Sequence, residues 1–487
     1  MRPVRGRPRP PVVPPHVAKP NLLFVFGDQW RAQALGHAGD PNVKTPRIDA
    51  FAGESVSMAN ATSNVPVCCP WRASLLTGQY PLTHGIIVND QSITSSPVGF
   101  GTALNEAGYH TGYIGKWHID GQGRQAFVPP ERRLGFQFWR GFECTHDYNH
   151  SGYYADTPEQ QHWDGYDAVA QTHLARGYLR EHAGSDYPFA LFLSWGPPHD
   201  PYVTAPENHR KIYDPDQIRL RPNVPAAAQR QAREWLAGYY AHCTALDDCF
   251  GALLDELDQL GIADNTVVVF TSDHGDMLGS HGHRGKQHPH EESVLTPFLL
   301  RYPAALGRRS RREAAPFSAP DIMPTLLALC GAPIPETVEG VDFSPLLRGD
   351  GPVEAGPAYL ACYRPHHQLR YADFGRDYRG IRTERYTYCR DHSGPWLLFD
   401  NQEDPHQLRN LVGYPEAQSL GADLDAQLDA VLRERDDRFE SGDELCGRYQ
   451  IALTPDGDVA CGQTEAGRAD PRNRIPDPRS RRCRRPR

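Results

Sequence analysis

Lysine is scarce in this chain. Of 51 basic residues only Lys19, Lys44, Lys116, Lys211 and Lys286 are lysine; the rest are arginine. Arginine serves wherever a surface cation is wanted, so a retained lysine marks a place that calls for a compact point charge. Long apolar runs are missing too. The longest are short segments such as 21–26 and 267–270, far below the ~20 residues that cross a bilayer, which excludes a membrane-spanning helix. The first twenty residues are rich in Pro and Arg and lack an apolar stretch of the kind a secretory leader needs, so none is expected there. Eleven cysteines, an odd number without framework spacing, point to reduced thiols and a cytoplasmic location.

The net charge of −9 is unevenly spread. Residues 1–20 carry five cations and no acid, and residues 466–487 carry nine Arg against Asp470 and Asp477. The chain between is strongly acidic, which argues against nucleic acid as its partner. Both basic ends lack apolar periodicity and read as disordered tails. A hydrophobic fraction of 39 % over 487 residues suffices for one large domain and an accessory one.

Several apolar runs read as buried strands, each ending in a polar cluster. Residues 21–27 lead into Asp28-Gln29, and 109–114 into Gly115-Lys116-Trp117-His118. Residues 189–193 lead towards His199, and 266–272 into Asp273-His274. Continuous apolar strands between helices predict an α/β protein with a mainly parallel sheet covered on both faces. Ligands of such sheets bind beyond the carboxyl ends of the strands, so these four clusters are expected to share one site. Residues 226–260 and 320–330 read as helices, ended by Gly261 and Gly331. A Gly/Pro-rich stretch at 345–358 separates a main domain, 21–352, from a small α+β subdomain, 353–465, with strands at 358–362, 378–383, 387–389 and 396–400 and a helix at 417–435.

The most specific segment is Cys68-Cys69-Pro70-Trp71-Arg72 followed by Thr77-Gly78. Pro70 suits the opening of a helix and Gly78 its end. A thiol at a helix N-terminus beside Arg has a lowered pKa and faces an anion site. The segment resembles the sulfatase signature Cys-x-Pro-(Ser/Ala)-Arg with Thr-Gly after four further residues; Trp71 stands at the Ser/Ala place. A second family signature, Gly-Tyr-x-Thr-x-x-x-Gly-Lys-x-His, is matched by residues 108–118. Asp28, Asp273, the Pro-Pro-His at 197–199, and Lys286 ahead of Glu291 and Glu292 fall in family order, and the resemblance covers about 21–410. Gln29 departs from it, many members having Asp there.

The resemblance implies an alkaline-phosphatase-like α/β sandwich and a sulfate-ester hydrolase whose Cys68 is oxidised to formylglycine by a formylglycine-generating enzyme. It implies one divalent ion held by Asp28, Gln29, Cys68, Asp273 and His274. The mostly oxygen donors suit Ca²⁺ first, with Mn²⁺ or Mg²⁺ as alternatives. Arg72 and Lys116 would stabilise the hydrated aldehyde and Asp273 activate it. Lys286 and His199 would bind sulfate, with His199 protonating the leaving alcohol, and His118 would release sulfate. A small-molecule or carbohydrate sulfate ester is the expected substrate. A phosphonate monoester or phosphodiester is the alternative, since a neutral Gln29 leaves the site more positive. A catalytically silent binding protein on this fold is the third reading. Two further segments stand out. His281, His283, His288 and His290 are expected on the loop around Lys286, and the aromatic, His-rich stretch 146–163 reads equally as a substrate-pocket wall or a surface loop.

Overall fold

A computed structural model describes residues 19–460. The expected tails therefore lie outside the described residues, except for Lys19 and Pro20. Ten strands form one sheet: β1 (Asn21–Asp28), β2 (Val56–Thr62), β3 (His110–Lys116), β4 (Phe138–Phe142), β5 (Gly152–Tyr154), β6 (Gln160–His162), β7 (Phe189–Pro198), β8 (Thr266–Ser272), β9 (Phe298–Arg301) and β10 (Arg311–Ser318). Their order is β10-β2-β9-β8-β1-β7-β3-β4-β5-β6. The middle five, β8-β1-β7-β3-β4, pair in parallel. Beyond this parallel centre the sheet is mixed. β9 runs antiparallel to both β8 and β2, and β5 and β6 add an antiparallel edge.

Strand periodicity divides the core into two layers. Leu23 and Val25 of β1 face one layer, which contains the helices Asp167–His182 and Gln229–Gln259. Leu22, Phe24 and Phe26 face the other, built on the helices Cys68–Thr77, Phe100–Glu106 and Ala319–Leu329. Because every residue of β7 and β8 is buried, these strands cannot be amphipathic, and their sequences are continuous apolar runs until the polar ends. Trp71 lies in the second layer, 5.5 Å from the Phe26 ring, where its bulk fills space under the sheet.

The boundary expected at 352–353 falls in a stretch, 351–357, without regular structure. After it, β11 (Ala358–Cys362), β12 (Tyr378–Arg382), β13 (Tyr386–Asp391) and β14 (Gly394–Asp400) form an antiparallel meander, and the helix Gln418–Glu434 packs against it. This small sheet braces the loop that carries Lys286. Gln287 Nε2 donates to the His366 carbonyl (2.6 Å), and the Glu291 amide donates to Gln407 Oε1 (3.0 Å). Arg382 on β12 grips Glu291 through two parallel bonds of 3.0 and 2.9 Å, both side chains being buried. Such a fork fixes orientation as well as charge.

Removing one member of a buried pair leaves the other charge uncompensated. Arg382→Ala is expected to lower unfolding free energy by about 3–5 kcal/mol, read from the denaturant midpoint, and an unchanged midpoint would show the fork to be energetically idle.

Candidate active site

The polar strand ends meet above the carboxyl edge of the parallel centre. β1 delivers Asp28 and Gln29, β3 delivers Lys116, β7 runs into His199, and β8 runs into Asp273 and His274. The helix Cys68–Thr77 brings Cys68 and Arg72 from its first turn and a half. Gln29 (φ 68°) and His118 (φ 62°) both sit in the left-handed region, unusual for side-chain-bearing residues, where the chain turns sharply off its strand.

Around Cys68 the groups touch. Lys286 Nζ donates to Cys68 Sγ at 3.0 Å; His274 Nε2 is 3.3 Å and Asp28 Oδ1 3.5 Å from that sulfur. Lys116 Nζ donates to Asp28 Oδ2 at 2.7 Å and lies 3.7 Å from the thiol. Arg72 bridges both acids, at 2.9 Å from Asp28 Oδ2 and 3.2 Å from Asp273 Oδ2. Lys286 Nζ also donates to His199 Nε2 at 3.2 Å, while His199 Nδ1 donates to the Asp200 carbonyl at 2.9 Å. All these groups are buried, so their charges interact at low dielectric.

The titrations follow from that crowding. Burial opposes ionisation of Asp28, but Lys116, His199, Arg72 and Lys286 overcome it and hold the carboxyl well below its usual range. Burial and the neighbouring Asp28 push Asp273 up to about 6. Burial and Asp28 raise the Cys68 thiol, yet Lys116, Lys286 and His274 prevail and leave it well below an ordinary thiol. Burial and Lys286 depress His199 to about 3.

Asp28, Cys68, Asp273 and His274 place one ligand atom each within 4.8 Å of one another. Gln29 adds a buried Oε1 that has no hydrogen-bond partner. Two carboxylates, an amide oxygen awaiting a partner and an imidazole are a donor set that fits a divalent ion.

His118 stands apart from this centre. Its Nε2 donates to Asp90 Oδ1 at 2.7 Å, and Arg124 pairs with the same carboxylate at 3.0 Å. The four histidines of 281–290 flank Lys286, as the sequence led one to expect. Their rings stack in two pairs, His281 on His290 and His283 on His288, each at 4.2 Å between centroids, instead of converging on a point. In the 146–163 stretch, His146 stacks on His199 at 4.7 Å and Tyr148 donates to the Asp200 carbonyl, so this segment begins at the site wall; the β5–β6 hairpin carries it outward.

Sequence reasoning missed several contributors. Ser194 accepts from Arg72 at 2.7 Å. Asp200 and Arg284 pair at 2.8 Å behind His199. Asp276 accepts from Gln29 Nε2 at 2.6 Å, from the Tyr202 hydroxyl, and from the amides of Leu278 and Gly285. A carboxylate therefore lies beside Gln29, and the charge argument built on Gln29 alone overstated how positive the site is. The Asp-His-Gly-Asp spacing of 273–276 was the available signal.

The geometry agrees with the comparisons to known proteins. The Sulfatase family model matches residues 20–332, and a model for the C-terminal part of N-sulphoglucosamine sulphohydrolase matches 279–434. The chain belongs to the sulfatase family. A Formosa agariphila ulvan-active sulfatase is 44 % identical over 438 residues, 89 % of this chain and 85 % of that protein. A solved sulfatase structure from work on the metabolism of multiple glycosaminoglycans by Bacteroides thetaiotaomicron is 30 % identical, with TM-score 0.78 over 88 % of this chain and 99 % of that one. An Agrobacterium radiobacter phosphonate monoester hydrolase is 21 % identical, with TM-score 0.68 over 91 % and 100 % of the two chains, a likeness of fold alone. This sulfatase is a sulfuric ester hydrolase, and the phosphonate alternative has less support.

A carboxylate that hydrogen-bonds a metal ligand from behind fixes its orientation, and its loss commonly costs about 10–100-fold in metal affinity. Asp276→Ala is expected to weaken divalent-ion binding by about that factor, measured by calorimetric titration with Ca²⁺ and Mn²⁺. Unchanged affinity would remove Gln29 from the ligand set.

Proposed function

We propose that this protein hydrolyses sulfate esters of a carbohydrate through a formylglycine made from Cys68, with one divalent ion, Ca²⁺ first, held by Asp28, Gln29, Cys68 after its conversion, Asp273 and His274. The observation that carries the reading is the setting of Cys68: a buried helix N-terminus with Lys286 3.0 Å away and His274 and Asp28 within 3.5 Å. When bound, the ion would draw negative charge from the ester oxygens.

The chain's own groups divide the chemistry. Asp273 takes a proton from the hydrated aldehyde, one of whose oxygens bonds to sulfur as the bond from sulfur to the alcohol oxygen breaks. Arg72 and Lys116 hold the hydrated form. Splitting the hydrolysis this way replaces one hard step with two easier ones. At rest Lys286 donates to His199 Nε2, which keeps that nitrogen unprotonated. A sulfate group arriving between the two supplies the negative charge that lets Nε2 take up a proton and pass it to the departing alcohol. His118 then accepts the proton of the remaining hydroxyl at Nδ1, the ring nitrogen left without a partner while Asp90 holds Nε2; the carbonyl re-forms, its bond to sulfate breaks, and the aldehyde returns. Fixed cations aimed at the sulfuryl oxygens need no reorganisation during this step.

The substrate class rests on the 44 % identical relative, whose own substrate is named as ulvan. The maturation partner would be a formylglycine-generating enzyme. The nine cysteines among the described residues are all unpaired, which supports a reducing compartment, and the cytoplasm is the proposed location.

Two measurements test the reading on protein co-expressed with a formylglycine-generating enzyme. The mass of the Cys68 peptide is expected to show the thiol replaced by an aldehyde. Turnover is expected on a sulfated oligosaccharide and an aryl sulfate, and to vanish on chelation. A kcat/KM at least about tenfold higher on the matching aryl phosphonate, a difference of ~1.4 kcal/mol in transition-state binding, would overturn the sulfate assignment in favour of phosphorus.

A further inference from the structure

Beside the oxygen-rich centre lies a second group of potential ligands that the reaction does not use together. Cys69, Asp90 and His118 place one ligand atom each within 4.8 Å of one another. They come from three separate segments. Cys69 belongs to the helix opened by Cys68, Asp90 sits in a loop with left-handed backbone (φ 61°), and His118 follows β3.

Their arrangement is set by contacts outside the triad. The Asp90 amide donates to Cys69 Sγ at 3.2 Å, and the Cys69 amide donates to Asn89 Oδ1 at 3.1 Å, so thiol and loop hold each other. Arg124 grips Asp90 through Nε, at 3.2 Å from Oδ1 and 3.1 Å from Oδ2. His118 Nε2 faces Asp90 Oδ1, and its Nδ1 is buried without a hydrogen-bond partner. Ligating carboxylates are themselves usually hydrogen-bonded from outside, as Asp90 is by Arg124. Both side chains of the Asp90–Arg124 pair are slightly exposed, which gives the group an opening to solvent.

The donor chemistry differs from that of the first centre. One thiolate, one imidazole and one carboxylate suit zinc, and three protein ligands leave a fourth position open. Calcium and magnesium, which prefer oxygen, gain little from a sulfur and a nitrogen. The fold thus sets a hard site and a soft site side by side, on consecutive cysteines.

We propose that Cys69, Asp90 and His118 form a zinc-binding site, distinct from the oxygen-rich centre, and that zinc bound there stops turnover by withdrawing His118 from the reaction. Binding releases the Cys69 thiol proton to solvent and moves the His118 proton from Nε2 to the unpartnered Nδ1, so that Nε2 and Asp90 trade their hydrogen bond for metal bonds; no redox change is involved. The inhibitory half rests on the role given to His118 above; the binding half does not.

Cobalt(II) tests the binding half, because a thiolate ligand gives it a near-ultraviolet charge-transfer band and a tetrahedral site gives it strong visible absorption. Full-length Cys68→Ser protein, which has no thiol at 68, is saturated with Ca²⁺ and titrated with Co²⁺; Cys68→Ala serves if the serine variant is unstable. The expected result is a thiolate band that saturates at one cobalt per chain, is bleached by Zn²⁺, and is absent from the Cys68→Ser/Cys69→Ser double variant. No band, or one that persists in the double variant, overturns the site. For the second half, formylglycine-bearing protein is assayed with Ca²⁺ and increasing Zn²⁺. Cys69→Ser is expected to raise the zinc concentration that halves its own uninhibited rate by at least about tenfold, since losing a ligand costs no less than losing the outer support of one. A cobalt band without zinc inhibition overturns the inhibitory half and the His118 assignment with it, while leaving the binding site standing.

Discussion

Burying charge is the constraint on which this molecule depends. Asp28, Arg72 and Asp273 are fully shielded from solvent and Lys116 and Lys286 nearly so, in a medium where an unpaired ion costs several kcal/mol. The cluster is tolerable because every charge has an opposite neighbour. Arg72 touches two carboxylates, Asp28 touches two cations, and Lys286 meets a thiol of depressed pKa. Only elements locked in register can hold so many ions at such separations. The parallel centre provides that lock, since β1 is hydrogen-bonded to β7 and β8 on its two sides and the three end their apolar runs together.

That logic explains how much could be read beforehand. An apolar run that stops at Asp-Gln, Gly-Lys-Trp-His or Asp-His announces both strand and site end, because a fully buried strand has no other reason to change character so abruptly. β1, β3, β7 and β8 of the parallel centre were legible for this reason, and the long helix at 229–259 and the four strands after residue 357 were legible from their apolar spacing. β2, β4, β9 and β10, and the short β5 and β6, were not, because short strands and strands broken by polar residues carry too weak a period. Asp276, Ser194 and Asp200 were also missed. Asp276 meets Gln29 across 247 residues of sequence and Ser194 meets Arg72 across 122; the spacing from Asp273 hints at Asp276, but no local pattern names its partner or Ser194's.

Lysine placement, by contrast, carried information. Two of the five lysines are the buried cations beside Cys68. A point charge on a flexible stem can reach a sulfur or a carboxylate through a narrow approach where a planar guanidinium fork would need two aligned acceptors. Where such a fork is wanted, the chain uses arginine: Arg72 spans two acids, and Arg382 grips Glu291. The family model that begins at residue 279 and runs to 434 takes the Lys286 loop together with the small sheet, and the hydrogen bonds across 351–357 give a physical reason for that grouping.

The bracing of the Lys286 loop has a consequence for the order of events during synthesis. Cys68, Arg72 and Lys116 leave the ribosome early, and β1 cannot complete its pairing until β7 and β8, 160 to 250 positions later, have followed. Lys286 then arrives while His366, Arg382 and Gln407, which hold its loop neighbours Gln287 and Glu291, are still to be made. Contacts of such long sequence separation form slowly because loop closure precedes their reward. For more than half of translation the nascent chain thus carries its cysteine without Lys286, and the loop that brings this last cation is braced only by residues that emerge about 80 to 120 positions after it.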